Sequence, residues 1–215
     1  MPDDHPSLDP GDVVVVAALG VEARAVEKLA PRLCVVRAGV GLATLDRRLL
    51  TASVVLSVGL AGGLTEDLVS GTVVVPATVA REDGVLVACD PAWSAALERA
   101  SRRLGLPTST APLLSADALV THAGRARWAA RGFVAADMET ALLAGMVARV
   151  AAVRVVLDTP QLDISPAWGR PARAAMNPLL WRQGAWLMRA APRLCRRAAM
   201  VVAAALEDAR VTPPA

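Results

Sequence analysis

The chain has 215 residues, a length that suits one domain with a sizeable buried core. Hydrophobic residues make up 54% of it and the mean hydropathy is +0.44, yet no apolar run approaches the roughly 18 residues that a membrane-spanning helix needs. The net charge is +3, and arginine supplies nearly all of the positive charge. There is no tyrosine and the only phenylalanine is Phe133, which disfavours a nucleic-acid binder that stacks bases on aromatic side chains.

The hydrophobic pattern alternates strands with helices along the chain. The predicted strands are Val13–Ala18, Leu33–Ala38, Ser53–Val58, Gly71–Val79, Gly84–Val87, Leu113–Ser115, Gly132–Ala136 and Val153–Leu157. The predicted helices are Val21–Leu29, Leu42–Leu50, Trp93–Leu104 (starting at Asp90 or Pro91), Thr140–Val150 and a tail from Pro166 to about Asp208 with interruptions at Pro171, Pro178 and Pro192. This order predicts the α/β class: a three-layer α/β/α domain with a central mixed sheet and a helical C-terminal tail.

The organisation of the chain indicates one domain, at residues 11–210, with flexible termini at 1–10 and 211–215. The acidic first residues lack the layout of a secretory signal, so we expect a cytoplasmic protein. Cys34, Cys89 and Cys195 are widely spaced and include no Cys-x-x-Cys pair, which indicates neither a disulfide framework nor a zinc site.

Candidate ligand-binding residues lie where predicted strands end, because α/β sheets bind ligands at the carboxyl ends of their strands. Five segments qualify: Leu19–Arg24, Gly39–Gly41, Gly59–Gly63, Asp137–Glu139 and the residues from Asp158 onward. In Asp137-Met138-Glu139, two carboxylates flank a thioether just before a helix, a pattern that suits a polar ligand. Asp137, Glu139 and Glu22 also have a structural interpretation, as first-turn acids or helix caps.

Taken together, these segments resemble the nucleoside phosphorylase and nucleosidase superfamily. The resemblance runs in order from Val13 to Leu157 and is carried by Gly59-Leu-Ala-Gly-Gly63, Gly71-Thr-Val-Val-Val75, Ser115-Ala-Asp-Ala-Leu119-Val120 and Asp137-Met-Glu139-Thr-Ala. It implies cleavage of the bond between the ribose and the base of a purine, adenosine-like nucleoside. Leu60 before Ala-Gly-Gly, with an Arg- and Trp-rich tail, is most similar to the hopanoid-associated phosphorylase branch.

The resemblance also implies roles for individual residues. Glu139 would accept hydrogen bonds from the 2′ and 3′ hydroxyls of ribose, and Met138 would pack against sugar and base. Leu119 replaces a base-stacking phenylalanine, and Val120 would offer backbone groups to the edge of the base. Gly62 and Gly63 would border the substrate.

The attacking group has two interpretations. Glu22 resembles the carboxylate that positions water in the nucleosidases. Gly20 and Arg24 resemble the Gly-x-x-x-Arg that binds phosphate in the phosphorylases, at a helix amino terminus that suits an anion. Water and inorganic phosphate therefore both stay open as co-substrates.

The acid that protonates the leaving base is the main departure from the family, which places an aspartate in an Arg-x-Ile-Ser-Asp setting. An ungapped comparison from Glu139 puts Leu162 at the acid position and Asp158 at the arginine position. Three alternatives remain open: a slip in the loop makes Asp163 the acid, Asp158 turns into the pocket, or the protein binds a nucleoside without cleaving it.

Arginines in Arg125–Arg131 and Arg182–Arg197 are interpreted as the polar faces of helices. In the tail, Trp168, Trp181 and Trp186 favour packing on the sheet or a subunit interface, with contact to a membrane surface or a lipid-linked nucleoside as the functional alternative. The resemblance favours a homodimer or larger, and no metal or organic cofactor is implied. A dinucleotide-binding fold is disfavoured because the first turn lacks Gly-x-Gly-x-x-Gly.

Overall fold

The computed structural model describes residues 12–169, 174 and 176–211. The expected flexible termini lie outside the described residues, except for Val211, at which the last helix ends. The interruption expected at Pro171 also lies outside them. The described strands are β1 (Val13–Ala17), β2 (Cys34–Arg37), β3 (Val54–Gly63), β4 (Val73–Val74), β5 (Thr78–Arg81), β6 (Leu86–Ala88), β7 (Thr108–Ser109), β8 (Leu113–Ser115), β9 (Ala135–Asp137) and β10 (Val150–Asp158). The described α-helices are α1 (Gly20–Leu29), α2 (Pro91–Arg103), α3 (His122–Ala129), α4 (Thr140–Ala144) and α5 (Trp181–Val211).

These strands form one mixed sheet, as predicted, in which β3 is central. On one side, β3 pairs in parallel with β10 along most of its length. On the other side, β1 pairs in parallel with its first half, and β9 pairs antiparallel with its last two residues, Gly62 and Gly63. The order then runs from β9 through β8 and β5 to β6 on one flank and from β10 through β4 to β7 on the other.

Helices cover both faces of the sheet, which confirms the predicted three layers. In β1, Val13 and Val15 pack into a core with α1, α2 and α5, whereas Val14 and Val16 face a second core that contains Leu143 of α4. Burial of alternate side chains on both faces explains why this strand is a continuous apolar run. Asp90 caps α2 by accepting a hydrogen bond from Trp93 N at 2.9 Å.

One predicted helix is wrong and another is too long. The segment Leu42–Leu50 contains only short 3₁₀ turns, at Val40–Leu42 and Arg47–Leu49, because Gly41 and Leu42 have φ values of 61° and 63°, outside the helical region. The helix predicted for Thr140–Val150 ends at Ala144, and Val150 instead pairs with Val55 in the sheet. Pairing with β3 outweighs the helical pattern of the sequence.

Other boundaries also differ. β3 does not end at Val58 but continues through Gly63, because β10 and β9 pair with its glycine-rich half. The strand predicted at Gly71–Val79 is divided between β4 and β5, and that at Gly132–Ala136 starts only at Ala135. Pro192 lies inside α5 without interrupting it. The pattern did not reveal β7, which is only two residues long.

Candidate functional site

The candidate site lies beside β3, in the gap between the end of β1 and the end of β9. Because β1 is parallel to β3 and β9 is antiparallel, the carboxyl ends of these two strands point toward each other along the same side of β3. The residues that follow them meet there. Glu22 comes from the first turn of α1, and Glu139 comes from the turn between β9 and α4.

Arg154 of β10 connects the carboxylates of the gap. Its side chain is 1% exposed, and its Nη2 lies 2.7 Å from Asp137 Oδ2 and 3.5 Å from Glu139 Oε2. The same nitrogen donates to the hydroxyl oxygens of Ser57, at 2.6 Å, and Thr140, at 3.0 Å. Arg154 was not among the predicted site residues, although an arginine in the middle of an apolar strand is a signal that could have identified it.

Glu22 is buried and held by two backbone amides. Its Oε2 accepts a hydrogen bond from Leu19 N at 2.8 Å, and its Oε1 accepts one from Leu60 N at 2.9 Å. Burial raises the pKa of the Glu22 carboxyl, an effect that Arg154 and the two amides oppose. Glu22 therefore fits both interpretations of the sequence, since it caps the start of α1 and also faces the gap.

Gly59 allows the approach of Glu22 to Arg154. A Cβ atom at this position would lie 2.5 Å from Arg154 Nη1 and 2.5 Å from Glu22 Oε1. Both distances are far below van der Waals contact, so a residue with a side chain would displace one or both charged groups.

Glu139 lies on the opposite side of the gap, also buried. Its Oε1 accepts a hydrogen bond from Gly41 N at 3.0 Å, which ties the loop after β2 to the site. Burial raises the pKa of Glu139, and Arg154 opposes the shift. Met138, beside it, is half-buried. The segments expected at Gly39–Gly41, Gly59–Gly63 and Asp137–Glu139 are thus together in the structure.

Asp137 has its carboxylate occupied by neighbours. It accepts hydrogen bonds from Ser115 Oγ, Thr140 Oγ1 and, at 3.1 Å, Thr140 N, besides its ion pair with Arg154. This agrees with the structural interpretation, in which Asp137 caps the start of α4.

A second cluster lies at the end of β10, four residues beyond Arg154. Arg125 of α3 is 3% exposed and donates through Nη2 to Asp158 Oδ2 and, at 2.6 Å, to Asp163 Oδ1, while its Nη1 donates to Gly63 O. Burial raises the pKa of Asp158, and the guanidinium of Arg125 opposes this. Gly62 lies against the cluster, since a Cβ there would be 3.3 Å from Asp158 Oδ1.

This cluster corrects one expectation. Arg125 does not lie on a polar helix face but is buried and paired, which its position near the exposed Arg127 and Arg131 did not reveal. Both candidate acids, Asp158 and Asp163, contact Arg125. Arg154 and Asp158 have the spacing of the first and last residues of Arg-x-Ile-Ser-Asp. Leu162 is an exposed residue of the turn that follows.

The remaining predicted residues lie around these clusters. Arg24 is exposed, and its Nη1 would be 3.3 Å from a Cβ atom at Gly20, so its guanidinium lies close to the start of α1. Leu119 and Val120 are half-buried, and Val120 packs on the core that includes Ala136 of β9. Among the described residues, no group of three or more His, Cys, Asp or Glu side chains is arranged to hold a metal ion.

Comparison with known proteins agrees with the α/β fold. A sequence model described as Phosphorylase superfamily matches residues 26–165, more than half of the chain. The protein therefore belongs to the phosphorylase superfamily. No curated protein matches it in sequence.

Solved structures share the fold at low sequence identity. The 5′-methylthioadenosine/S-adenosylhomocysteine nucleosidase of Neisseria meningitidis, in complex with methylthio-immucillin-A, is 18% identical, with a TM-score of 0.71 over 91% of this chain and 98% of that one. The corresponding nucleosidase of Helicobacter pylori is 13% identical, with a TM-score of 0.70 over 91% and 97%. Futalosine hydrolase of Helicobacter pylori is 13% identical, with a TM-score of 0.69 over 91% and 97%.

Proposed function

We propose that this protein is a nucleosidase that hydrolyses the bond between ribose and base in an adenosine-type nucleoside. The observation that carries the proposal is that three buried carboxylates lie along β3 in a member of this superfamily, with Glu22 beside Gly59, Asp158 beside Gly62 and Glu139 paired with Arg154. The similar solved structures are nucleosidases of 5′-methylthioadenosine and S-adenosylhomocysteine and a hydrolase of futalosine, which favours water as the attacking group.

Glu139 and Met138 are the proposed ribose-binding residues. A carboxylate has four lone-pair positions. Gly41 N contacts Oε1 at 3.0 Å, and Met138 N and Arg154 contact Oε2 only at 3.4 and 3.5 Å, so these long contacts can give way to hydrogen bonds from the 2′ and 3′ hydroxyls. The half-buried thioether of Met138 suits apolar contact with the sugar and the base.

Asp158 is the proposed acid. Its spacing from Arg154 matches the family motif, it is the last residue of β10, and burial raises its pKa so that the carboxyl keeps a proton at higher pH than an exposed aspartate. In the proposed reaction the ribose–base bond breaks with its electron pair moving to the base, and Asp158 donates its proton to a base nitrogen. The anomeric carbon then bonds to a water oxygen, and the water proton passes to Glu22.

Glu22 is the proposed water-positioning residue, and its contacts favour hydrolysis over phosphorolysis. Its carboxylate takes up the amides of Leu19 and Leu60 that an anion at the start of α1 would otherwise use. A phosphate held by Gly20 and Arg24 would lie close to this carboxylate. Phosphorolysis is the alternative, and it needs Glu22 to be protonated or displaced.

Leu119, Val120, Gly62 and Gly63 are the proposed neighbours of the base. The two glycines keep β3 free of side chains beside Asp158, so that a flat ring can approach the acid. Leu119 provides apolar contact in place of an aromatic ring.

The test is incubation of the purified protein with adenosine, 5′-methylthioadenosine, S-adenosylhomocysteine and futalosine, each with and without phosphate. Chromatography then measures the free base that is released. We expect release without phosphate. Release that requires phosphate would replace the nucleosidase by a phosphorylase. Measurable binding without release from any of the four would favour the alternative of a non-catalytic nucleoside-binding protein.

A large apolar group on the substrate, as in the hopanoid-type branch, is a further proposal, supported by the surface of α5. Met176 and Leu179, just before this helix, and Trp181 and Met188, in its first turns, are between 62% and 89% exposed. Residues 164–206 contain seven arginines and no acidic residue. Interleaved apolar and cationic side chains suit an anionic membrane surface. Among the described residues, no helix is long and apolar enough to cross a membrane.

Co-sedimentation with vesicles of phosphatidylcholine alone or with phosphatidylglycerol tests this surface. We expect binding only to the anionic vesicles, and we expect the Met188→Ser/Arg189→Glu variant to lose it. A matched control, Arg99→Glu on the exposed face of α2, should bind like the wild type. Equal binding by both variants would remove the membrane surface from the proposal. A homodimer or larger assembly stays a prediction, which light scattering can test. A cytoplasmic location also stays a prediction, which cell fractionation can test.

A further inference from the structure

Arg125 holds two carboxylates with one nitrogen. Its Nη2 contacts Asp158 Oδ2 and lies 2.6 Å from Asp163 Oδ1. The Asp158 side chain is 6% exposed and that of Asp163 is 33% exposed, so water reaches Asp163 far more readily. Among the residues that the structure describes, these are the charged groups that act on Asp158.

The charges of this cluster do not balance when both carboxyls are ionised. One guanidinium compensates one carboxylate, and a second buried negative charge is costly in a poorly hydrated site. A single proton makes the cluster neutral. The proton is expected on Asp158, because it is the more deeply buried of the two carboxyls and burial raises its pKa.

Asp163 is also held in place from the other side. Gln183 of α5 donates through Nε2 to Asp163 O at 3.1 Å, and its Oε1 accepts from Ser165 N and Trp168 Nε1. The loop that carries Asp163 is therefore tied to α5. A loop fixed in this way keeps the second carboxylate against Arg125.

We propose that Arg125 and Asp163 are positioning residues for Asp158: Asp163 neutralises the guanidinium, the guanidinium holds the Asp158 carboxyl beside Gly62, and Asp158 thereby remains protonated. The proposal rests on the role of Asp158 as acid given above. It assigns Asp163 a counter-ion role instead of that of an alternative acid.

The test compares pH profiles of kcat/KM for the wild type, Asp163→Asn, Arg125→Lys and Arg125→Gln. Removal of the Asp163 charge leaves Arg125 paired with Asp158 alone, so the alkaline limb should move about one pH unit lower. Arg125→Gln should move the limb higher, and Arg125→Lys should restore it toward the wild type. Asp67→Asn, an exposed aspartate without contact to Arg125, is the matched control and should leave the profile unchanged.

A second readout does not depend on activity. In protein with ¹³C-labelled aspartate carboxyls, the Asp158 resonance, assigned by its absence in Asp158→Asn, should titrate at higher pH in the wild type than in Asp163→Asn. Identical titration in the two proteins would overturn the proposal. A lower kcat/KM in the Arg125 and Asp163 variants, with the alkaline limb at the same pH as in the wild type, would overturn it too. If no nucleoside is cleaved but the resonance shifts as expected, the proposed function fails and the positioning pair stands.

Discussion

The replacement Gly59→Ala tests the geometry of the gap most directly. The new Cβ atom would lie 2.5 Å from both Arg154 Nη1 and Glu22 Oε1, whereas ordinary contact begins near 3.4 Å. One or both side chains must therefore move by about 0.9 Å, the difference between these distances. Neither is a flexible surface group, since Arg154 is held by Asp137, Ser57 and Thr140.

Two effects add to give the magnitude. Overpacking a rigid interior costs about 1–3 kcal/mol, and weakening a hydrogen bond to a charged group costs about 1.5–3 kcal/mol. We expect a loss of about 2.5–6 kcal/mol in the free energy of unfolding, measured by urea denaturation. In the protein that remains folded, displacement of Glu22 by nearly 1 Å should lower kcat/KM about 100-fold.

Gly145→Ala is the matched control for this replacement. Gly145 follows α4 with helical dihedral angles, and a Cβ atom there would meet Leu142 O at an ordinary 3.5 Å. This variant should differ from the wild type by less than about 0.5 kcal/mol. If Gly59→Ala matched Gly145→Ala in stability and activity, the close approach of Glu22 and Arg154 across Gly59 would be wrong.

The other predictions concern the proposed reaction and share the nucleoside-cleavage assay. Asp158→Asn should lower kcat about 10²–10⁴-fold with little change in nucleoside affinity, and equal activity would exclude Asp158 as the acid. Glu139→Gln should instead raise KM, because it weakens hydrogen bonds to the ribose hydroxyls; a 2′-deoxynucleoside should be much less sensitive to this change. The pH profile should be bell-shaped. Glu22 must be ionised and burial raises its pKa, so the acidic limb should lie above the usual range of a carboxyl, whereas activity should fall at higher pH as Asp158 loses its proton. Glu22→Gln should abolish the acidic limb together with most of the activity.

Much of the fold was predictable because its central strands are long apolar runs. β1 and β10 are buried along their whole length, and continuous apolar runs of this kind are typical of strands inside a sheet that is covered on both faces. Helix ends were less predictable. Thr140–Val150 has helical spacing, yet Val150 pairs with Val55 on a strand 95 residues away, and local periodicity carries no information about that partner.

The site was partly predictable for a similar reason. The strand-end rule selected Glu22, Glu139 and the glycines of β3, and the structure brings their segments together in one gap. It did not select Arg154 or Arg125, because an arginine reads as a surface residue until its counter-ions are known. Arg154 pairs with carboxylates at the end of β9 and in the turn before α4, and Arg125 pairs with residues 33 and 38 positions further on.

The two buried arginines divide the carboxylates of the site into groups that can differ in protonation. Around Arg154, the amides of Leu19 and Leu60 donate to Glu22 and the amide of Gly41 donates to Glu139, and together with Arg154 they oppose the rise that burial causes in the pKa of both carboxyls. Arg125 has two carboxylates as partners, and one guanidinium compensates only one negative charge, so a proton on one carboxyl makes this cluster neutral. Hydrolysis of a nucleoside needs an ionised carboxylate near the sugar and a protonated one near the base. The distribution of donors between the two ends of β10 supplies that difference, and it explains why Asp158 rather than Glu22 or Glu139 is the proposed acid.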